Sequence, residues 1–193
     1  RHVEIASGVD RLLHAKQLLV IPARQNPQRT DGPKASAQDR LAMCTLAFAD
    51  LADTVVLPIE TDLPNPSFTI DTVRRVLAMQ AAGEVMKGPL RLVVGSDQAL
   101  NFRTWKDWAD LAGLATPVVV LRPPHQRADW PGILRQHMDE HWAAKWLEWT
   151  LPIDPVDCSS TEIRRRVAAG LPVDDLAVPA VVNYIRSAGL YAG

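Results

Sequence analysis

A chain of 193 residues is long enough for one α/β domain with a sizeable core and short for two. With 47% hydrophobic residues, 22% charged residues and a formal net charge of −1, it lacks the basic excess of a general nucleic-acid or membrane-surface binder. No apolar run reaches the ~18 residues of a membrane span, no signal peptide is visible, and Cys44 and Cys158 are too few for a disulfide framework, so one cytoplasmic domain over 1–193 is expected.

The chain opens on Arg1 with no initiator methionine, and helical spacing starts at once through Val3, Ile5, Ala6, Val9, Leu12 and Leu13. An apolar run, Leu18 to Ile21, predicts a first strand; it leads into a basic, proline-containing loop with Arg24, Arg29, Lys34 and Arg40, a composition suited to gripping phosphate oxygens. A helix is predicted around Leu41 to Leu51, and a strand at Val55 to Ile59. After the loop Leu63 to Pro66, the run Ser67-Phe68-Thr69-Ile70-Asp71-Thr72 reads as a helix start with Thr69 as its cap. A hydroxyl and neighbouring amides there could meet a carboxylate.

Leu90 to Val94 predicts a third strand, followed directly by Gly95-Ser96-Asp97. The glycine permits close approach of backbone to a ligand, and the aspartate can accept from ribose hydroxyls. A helix is expected from about Gln98 to Ala112, carrying Trp105, and a fourth strand at Pro117 to Leu121. Residues 122 to 129, opening with Arg122-Pro123, read as a loop, and a Trp-rich helix is predicted from about Pro131 to Leu147. The hydroxyls of Ser159, Ser160 and Thr161 with Arg164 then mark a helix N-terminus; taken alone it reads first as a plain cap with a solvated basic face, and second as a site suited to an anion, since its first amides lack helical partners. A closing helix within Val178 to Tyr191 is ended by Gly189. Short continuous apolar runs alternating with helices predict a doubly wound, Rossmann-like parallel α/β sheet with a helical C-terminal portion. His137 and His141 lack a third metal ligand and the His-Glu-x-x-His pattern, so no protein metal site is expected.

Taken together, these motifs resemble the bacterial nicotinate-nucleotide adenylyltransferase family, of the nucleotidyltransferase superfamily. Family members open with a strand and Gly-Gly-x-Phe-Asp-Pro-x-His-x-Gly-His, and Arg1-His2-Val3-Glu4 is similar to its end, with His2 as the final histidine. Ser36 and Arg40, Glu60, Ser67 to Thr72, Gly95 and Asp97, Trp105, Arg122-Pro123, Ser159 to Arg164 and Tyr184 to Tyr191 follow in the family's order. Three departures stand out: the Gly-Gly-x-Phe-Asp-Pro-x-His part has no counterpart, Phe68 replaces tyrosine, and Gln28 replaces the usual loop histidine. A strand and a glycine-rich turn are therefore expected to belong before residue 1.

The resemblance implies transfer of the adenylyl group of ATP to nicotinate mononucleotide, giving deamido-NAD and pyrophosphate. It further implies His2 and Arg164 as catalytic residues, with His2, Arg29, Gly95, Asp97, Ser160, Thr161 and Arg164 binding ATP. Thr69 would hold the nicotinate carboxylate, Trp105 would stack on the pyridine ring, and Asp97 and Arg122 would complete the substrate contacts. Mg2+ would accompany ATP, bound mostly by phosphate oxygens and water. The expected partners are small molecules, with neither nucleic acid nor membrane, and self-association is left open. A relative that adenylylates nicotinamide mononucleotide, or a catalytically degenerate nucleotide-binding homologue, are the alternative readings.

Overall fold

The computed structural model describes residues 2–23, 35–62, 67–155 and 160–191. They form two compact units. The first comprises residues 1–10, 15–67 and 158–193, and the second residues 11–14 and 68–157. Both units carry parallel strands and helices, the α/β character that the alternating pattern predicts.

In the first unit, helix α1 (His2–Leu13) begins on His2, as expected; its last residues belong to the second unit. Strand β1 (Leu18–Val20) pairs in parallel with β2 (Thr54–Val56), Leu19 opposite Val55. The second apolar run is therefore shorter as a strand than its composition suggests. Pro58 follows it, and Ile59, buried, opens the short helix α3 (Ile59–Asp62). Between the strands lies α2 (Ala37–Phe48). Its start is a reciprocal capping box: Ser36 Oγ accepts from the Asp39 amide at 3.0 Å, and Asp39 Oδ2 accepts from the Ser36 amide at 3.1 Å. Helices α9 (Thr161–Ala168) and α10 (Pro179–Ser187) complete this unit, and α10 buries Val181, Val182 and Ile185. Gly189, at φ +60°, lets the chain turn so that the Leu190 amide reaches the Ile185 carbonyl at 3.0 Å.

In the second unit, β3 (Leu90–Gly95) pairs in parallel with β4 (Ala115–Val120), Gly95 opposite Val120. β4 is buried along nearly all its length, because the chain near residue 150 also bonds to it, with Thr150 bridging Val119. Helix α4 (Thr69–Ala82) turns Ile70, Val73 and Val76 inward. The expected helix from 98 to 112 is three pieces: α5 (Ser96–Asn101), a 3-10 turn over Phe102–Thr104, and α6 (Trp108–Leu114). Thr104 Oγ1 donates to the Asn101 carbonyl at 2.7 Å, competing with the helix ladder. The break also lets Phe102 and Leu111, nine residues apart, both lie fully buried.

The Trp-rich segment likewise divides, into α7 (Trp130–His137) and α8 (Glu140–Glu148). Met138 is extended at φ −154°, and Asp139 caps α8 by accepting from the Trp142 amide at 3.0 Å. His137 and His141 thus stand on different helices, and among the described residues no three potential metal ligands converge. Trp130 and Trp146, 1% and 2% exposed, join Phe102, Leu121 and Leu134 in the core, where each fully buried large side chain contributes roughly 1.5–3 kcal/mol. Core packing is the role of Trp146, while Trp142 and Trp149 pack against the core half-buried. Among the described residues no helix is long and apolar enough to cross a membrane.

Candidate functional site

Two groups of predicted site residues are brought together, one in each unit. In the first unit the group lies at the start of α9. Ser160 is the N-cap residue, but its hydroxyl does not bond the helix amides. Instead Arg164 folds back one turn, donating from Nη1 to Ser160 Oγ at 3.1 Å and from Nη2 to Thr161 Oγ1 at 3.2 Å. The two arginines that follow are occupied otherwise. Arg165 donates to both oxygens of Glu162 at 2.8 Å, and Arg166 bonds Glu162 at 2.9 Å and Asp175 at 2.9 and 3.2 Å. Hydrogen bonds from Arg165 first, and then Arg166, pull the Glu162 carboxyl down from 4.5 to about 2. Within the triplet, charge is neutralised at Arg165 and Arg166, whereas no acidic side chain among the described residues pairs with Arg164. A guanidinium, two hydroxyls and the first amides of a helix are therefore presented together, a donor set suited to phosphate oxygens.

His2 is exposed at the first position of α1. Arg29 lies outside the described residues, as do Arg24, Lys34, Cys158 and Ser159. Arg40 stays at the edge of the basic loop, donating to the Ala23 carbonyl. Glu60 accepts from the buried Ser67 hydroxyl at 2.9 Å, fixing Ser67 two residues before α4. Tyr191, near the end of the chain, has its hydroxyl pushed up by burial, against the opposing charges of Arg164 and Arg40.

The second group sits at the carboxyl ends of β3 and β4. Parallel pairing brings Gly95 and Arg122 to the same edge of this sheet, the position where ligands meet open α/β sheets. Gly95 is required there by close approach: a Cβ would lie 2.6 Å from Asp97 Oδ1 and 2.8 Å from Arg122 Cδ. Arg122 Nη1 lies 3.4 Å from Asp97 Oδ1, a loose pair that leaves both groups able to turn to a ligand.

Thr69 is the first residue of α4, not its cap; Phe68 holds the N-cap position and makes no side-chain cap bond. A phenylalanine offers no oxygen, so the N-cap residue itself supplies no side-chain acceptor to the first amides of α4. Trp105 is not on a helix: it follows the 3-10 turn in extended conformation and packs on Phe102, ring centroids 5.0 Å apart. Its neighbour Lys106 reaches the first turn of α4, 4.7 Å above the Phe68 ring and 3.3 Å from Asp71 Oδ2. Two further residues are not singled out by sequence reasoning. Lys106 adds a cation over Phe68 and against Asp71, and His125 turns its ring back on Ser96; the only sequence signal for the latter is a histidine three residues after Arg122.

Residues 2–166 match the cytidylyltransferase-like family. The probable nicotinate-nucleotide adenylyltransferase of Chromobacterium violaceum is 34% identical over 98% of this chain and 91% of its own length. That of Roseiflexus castenholzii is 35% identical over 98% and 90%. Among solved structures, the Plasmodium falciparum nicotinic acid mononucleotide adenylyltransferase complexed with NaAD is similar with a TM-score of 0.67, covering 98% of this chain and 89% of that one. At 13% identity this likeness is one of fold.

Proposed function

Since this chain belongs to the cytidylyltransferase-like family, among its nicotinate-nucleotide adenylyltransferases, we propose that it transfers the adenylyl group of ATP to nicotinate mononucleotide, forming deamido-NAD and pyrophosphate. The observation that carries this reading is that the family match runs from His2 to Arg166, and so contains the Ser160, Thr161 and Arg164 group of α9 and the Gly95–Asp97–Arg122 group.

In this reaction a phosphate oxygen of the mononucleotide attacks the α-phosphorus of ATP, and the bond from that phosphorus to the bridging oxygen of pyrophosphate breaks. No covalent protein intermediate is needed, so catalysis rests on positioning and on stabilising charge. Arg164, with the hydroxyls of Ser160 and Thr161, holds ATP phosphates, and Arg29 adds charge. His2 donates to phosphate oxygens as negative charge shifts toward the leaving group. Gly95 admits the nucleotide close to the backbone and Asp97 accepts from a ribose. The first amides of α4 with Thr69 hold the nicotinate carboxylate, Trp105 stacks on the pyridine ring, and Arg122 contacts the mononucleotide.

The donors at α9 are cationic and hydroxylic, and among the described residues no three carboxylate, imidazole or thiol groups cluster. The Mg2+ proposed to accompany ATP would be held mostly through phosphate oxygens and water, and would supply neutralisation of charge on the phosphates. The test is pyrophosphate release with ATP and either nicotinate or nicotinamide mononucleotide. A strong preference for the acid is expected, and equal rates would sink the carboxylate role of Thr69.

A further inference from the structure

Ser96 is a polar side chain with 0% exposure, placed between β3 and the loop after β4. The Arg122 amide donates to its Oγ at 3.0 Å, and His125 Nδ1 lies 2.9 Å from the same oxygen. The hydroxyl hydrogen has two acceptors in reach, Nδ1 at 2.9 Å and the Arg122 carbonyl at 3.5 Å. The ring nitrogen, the nearer of the two, is the better partner, and the carbonyl accepts from the His125 amide at 2.9 Å. His125 is itself braced, its ring 5.4 Å from that of the buried Trp130, whose Nε1 donates to Thr150 Oγ1 at 2.9 Å.

We propose that Ser96 and His125 are positioning residues that hold the Arg122 side chain across Gly95 for the mononucleotide. The clamp grips only the backbone of Arg122. With that backbone fixed, Cδ passes over Gly95 and the guanidinium comes to Asp97. A buried serine accepting one hydrogen bond and donating another is a costly arrangement to leave half-made, since removing either partner strands a desolvated polar group. The inference rests on the substrate role of Arg122 proposed above and extends it to two residues that do not themselves reach the ligand.

Steady-state kinetics on the full protein separate this from a merely structural role. Ser96→Ala and His125→Phe should raise KM for nicotinate mononucleotide about tenfold, with KM for ATP and kcat within about twofold. His125→Phe keeps a ring on Trp130 and so tests the clamp even where Ser96→Ala does not fold. His125→Asn, whose Oδ1 can accept in place of Nδ1, should recover most of the loss. Ser96→Ala should add nothing in an Arg122→Ala background, as residues acting through one group are not additive. A lowered Tm with unchanged KM, or a Ser96→Ala effect that persists without Arg122, overturns the clamp. Arg122→Ala with unchanged KM refutes the substrate role on which it rests, whereas a raised KM there beside unaffected Ser96→Ala and His125→Phe refutes the clamp alone.

Discussion

Tyr184, in the last helix, donates its phenolic hydrogen to Asp39 Oδ1 at 2.9 Å across a sequence separation of 145 residues. Asp39 is also the N3 residue of the capping box that starts α2, so one carboxylate closes a local cap and a long-range tie within the first unit.

Removing the cap hydroxyl should therefore weaken both. Ser36→Ala is expected to cost about 0.5–2 kcal/mol, with Tyr184→Phe smaller and the two effects coupled through Asp39. Urea denaturation followed by circular dichroism measures the three stabilities; strict additivity would show that the cap and the tie are independent.

Acid should loosen α9 before the rest of its unit. Glu162 titrates at about 2 in the folded chain against an ordinary 4.5, a depressed carboxyl held by Arg165 and Arg166. Its contribution is present above about pH 4.5 and lost as pH falls through the folded value near 2. Amide exchange in α9, corrected for intrinsic rates, should accelerate across that window. Glu162→Gln should abolish this component of the pH dependence, and a window unmoved by the substitution would reject the assignment.

At Gly95 the loss should be functional more than structural. The atoms that a new Cβ meets, Asp97 Oδ1 and Arg122 Cδ, belong to side chains that can swing aside. Gly95→Ala is expected to cost about 1 kcal/mol of stability while raising KM for the mononucleotide about tenfold. Thermal melts beside kinetics decide it; a large drop in Tm with normal KM would mean that the backbone, not the side chains, had moved.

Arg164 should tolerate neither truncation nor exchange. Arg164→Ala is expected to lower kcat/KM by about a hundredfold to a thousandfold, and Arg164→Lys to recover little, because an ammonium lacks the planar fork whose two separate nitrogens reach Ser160 and Thr161. Arg165→Ala serves as the comparison; an equal loss there would remove the distinction drawn between the neighbouring arginines.

His2→Ala should reduce turnover by about two to three orders of magnitude, mainly in kcat, if its imidazole donates to phosphate oxygens in the transition state. Single-turnover measurements at saturating ATP provide the check, and unchanged turnover would remove His2 from the mechanism.

How much of this was legible in the sequence follows from how local each feature is. The four strands of the described residues announce themselves as short apolar runs, and α1, α2 and α4 as helical spacing. The Ser160, Thr161 and Arg164 group is equally visible, since residues three and four apart meet on one helix face whatever lies around them. The breaks at Phe102–Asp107 and Met138–Asp139 are not visible, because a continuous helical pattern cannot show that Phe102 and Leu111 must both face one core, or that Asp139 will cap rather than extend. Least legible is the contact between Ser96 and His125. It depends on the parallel register that sets Gly95 opposite Val120, and no periodicity within either strand fixes that register.

The distribution of aromatic rings has a practical consequence for anyone following this protein by light. All six tryptophans, from Trp105 to Trp149, lie in the second unit, while the first holds both tyrosines, Tyr184 and Tyr191. Intrinsic fluorescence excited at the indole band is thus a spectroscopic monologue by one half of the molecule. An emission change on adding the mononucleotide would report on the half containing Trp105, and an emission-monitored melt would carry no indole signal from within the half that carries Arg164.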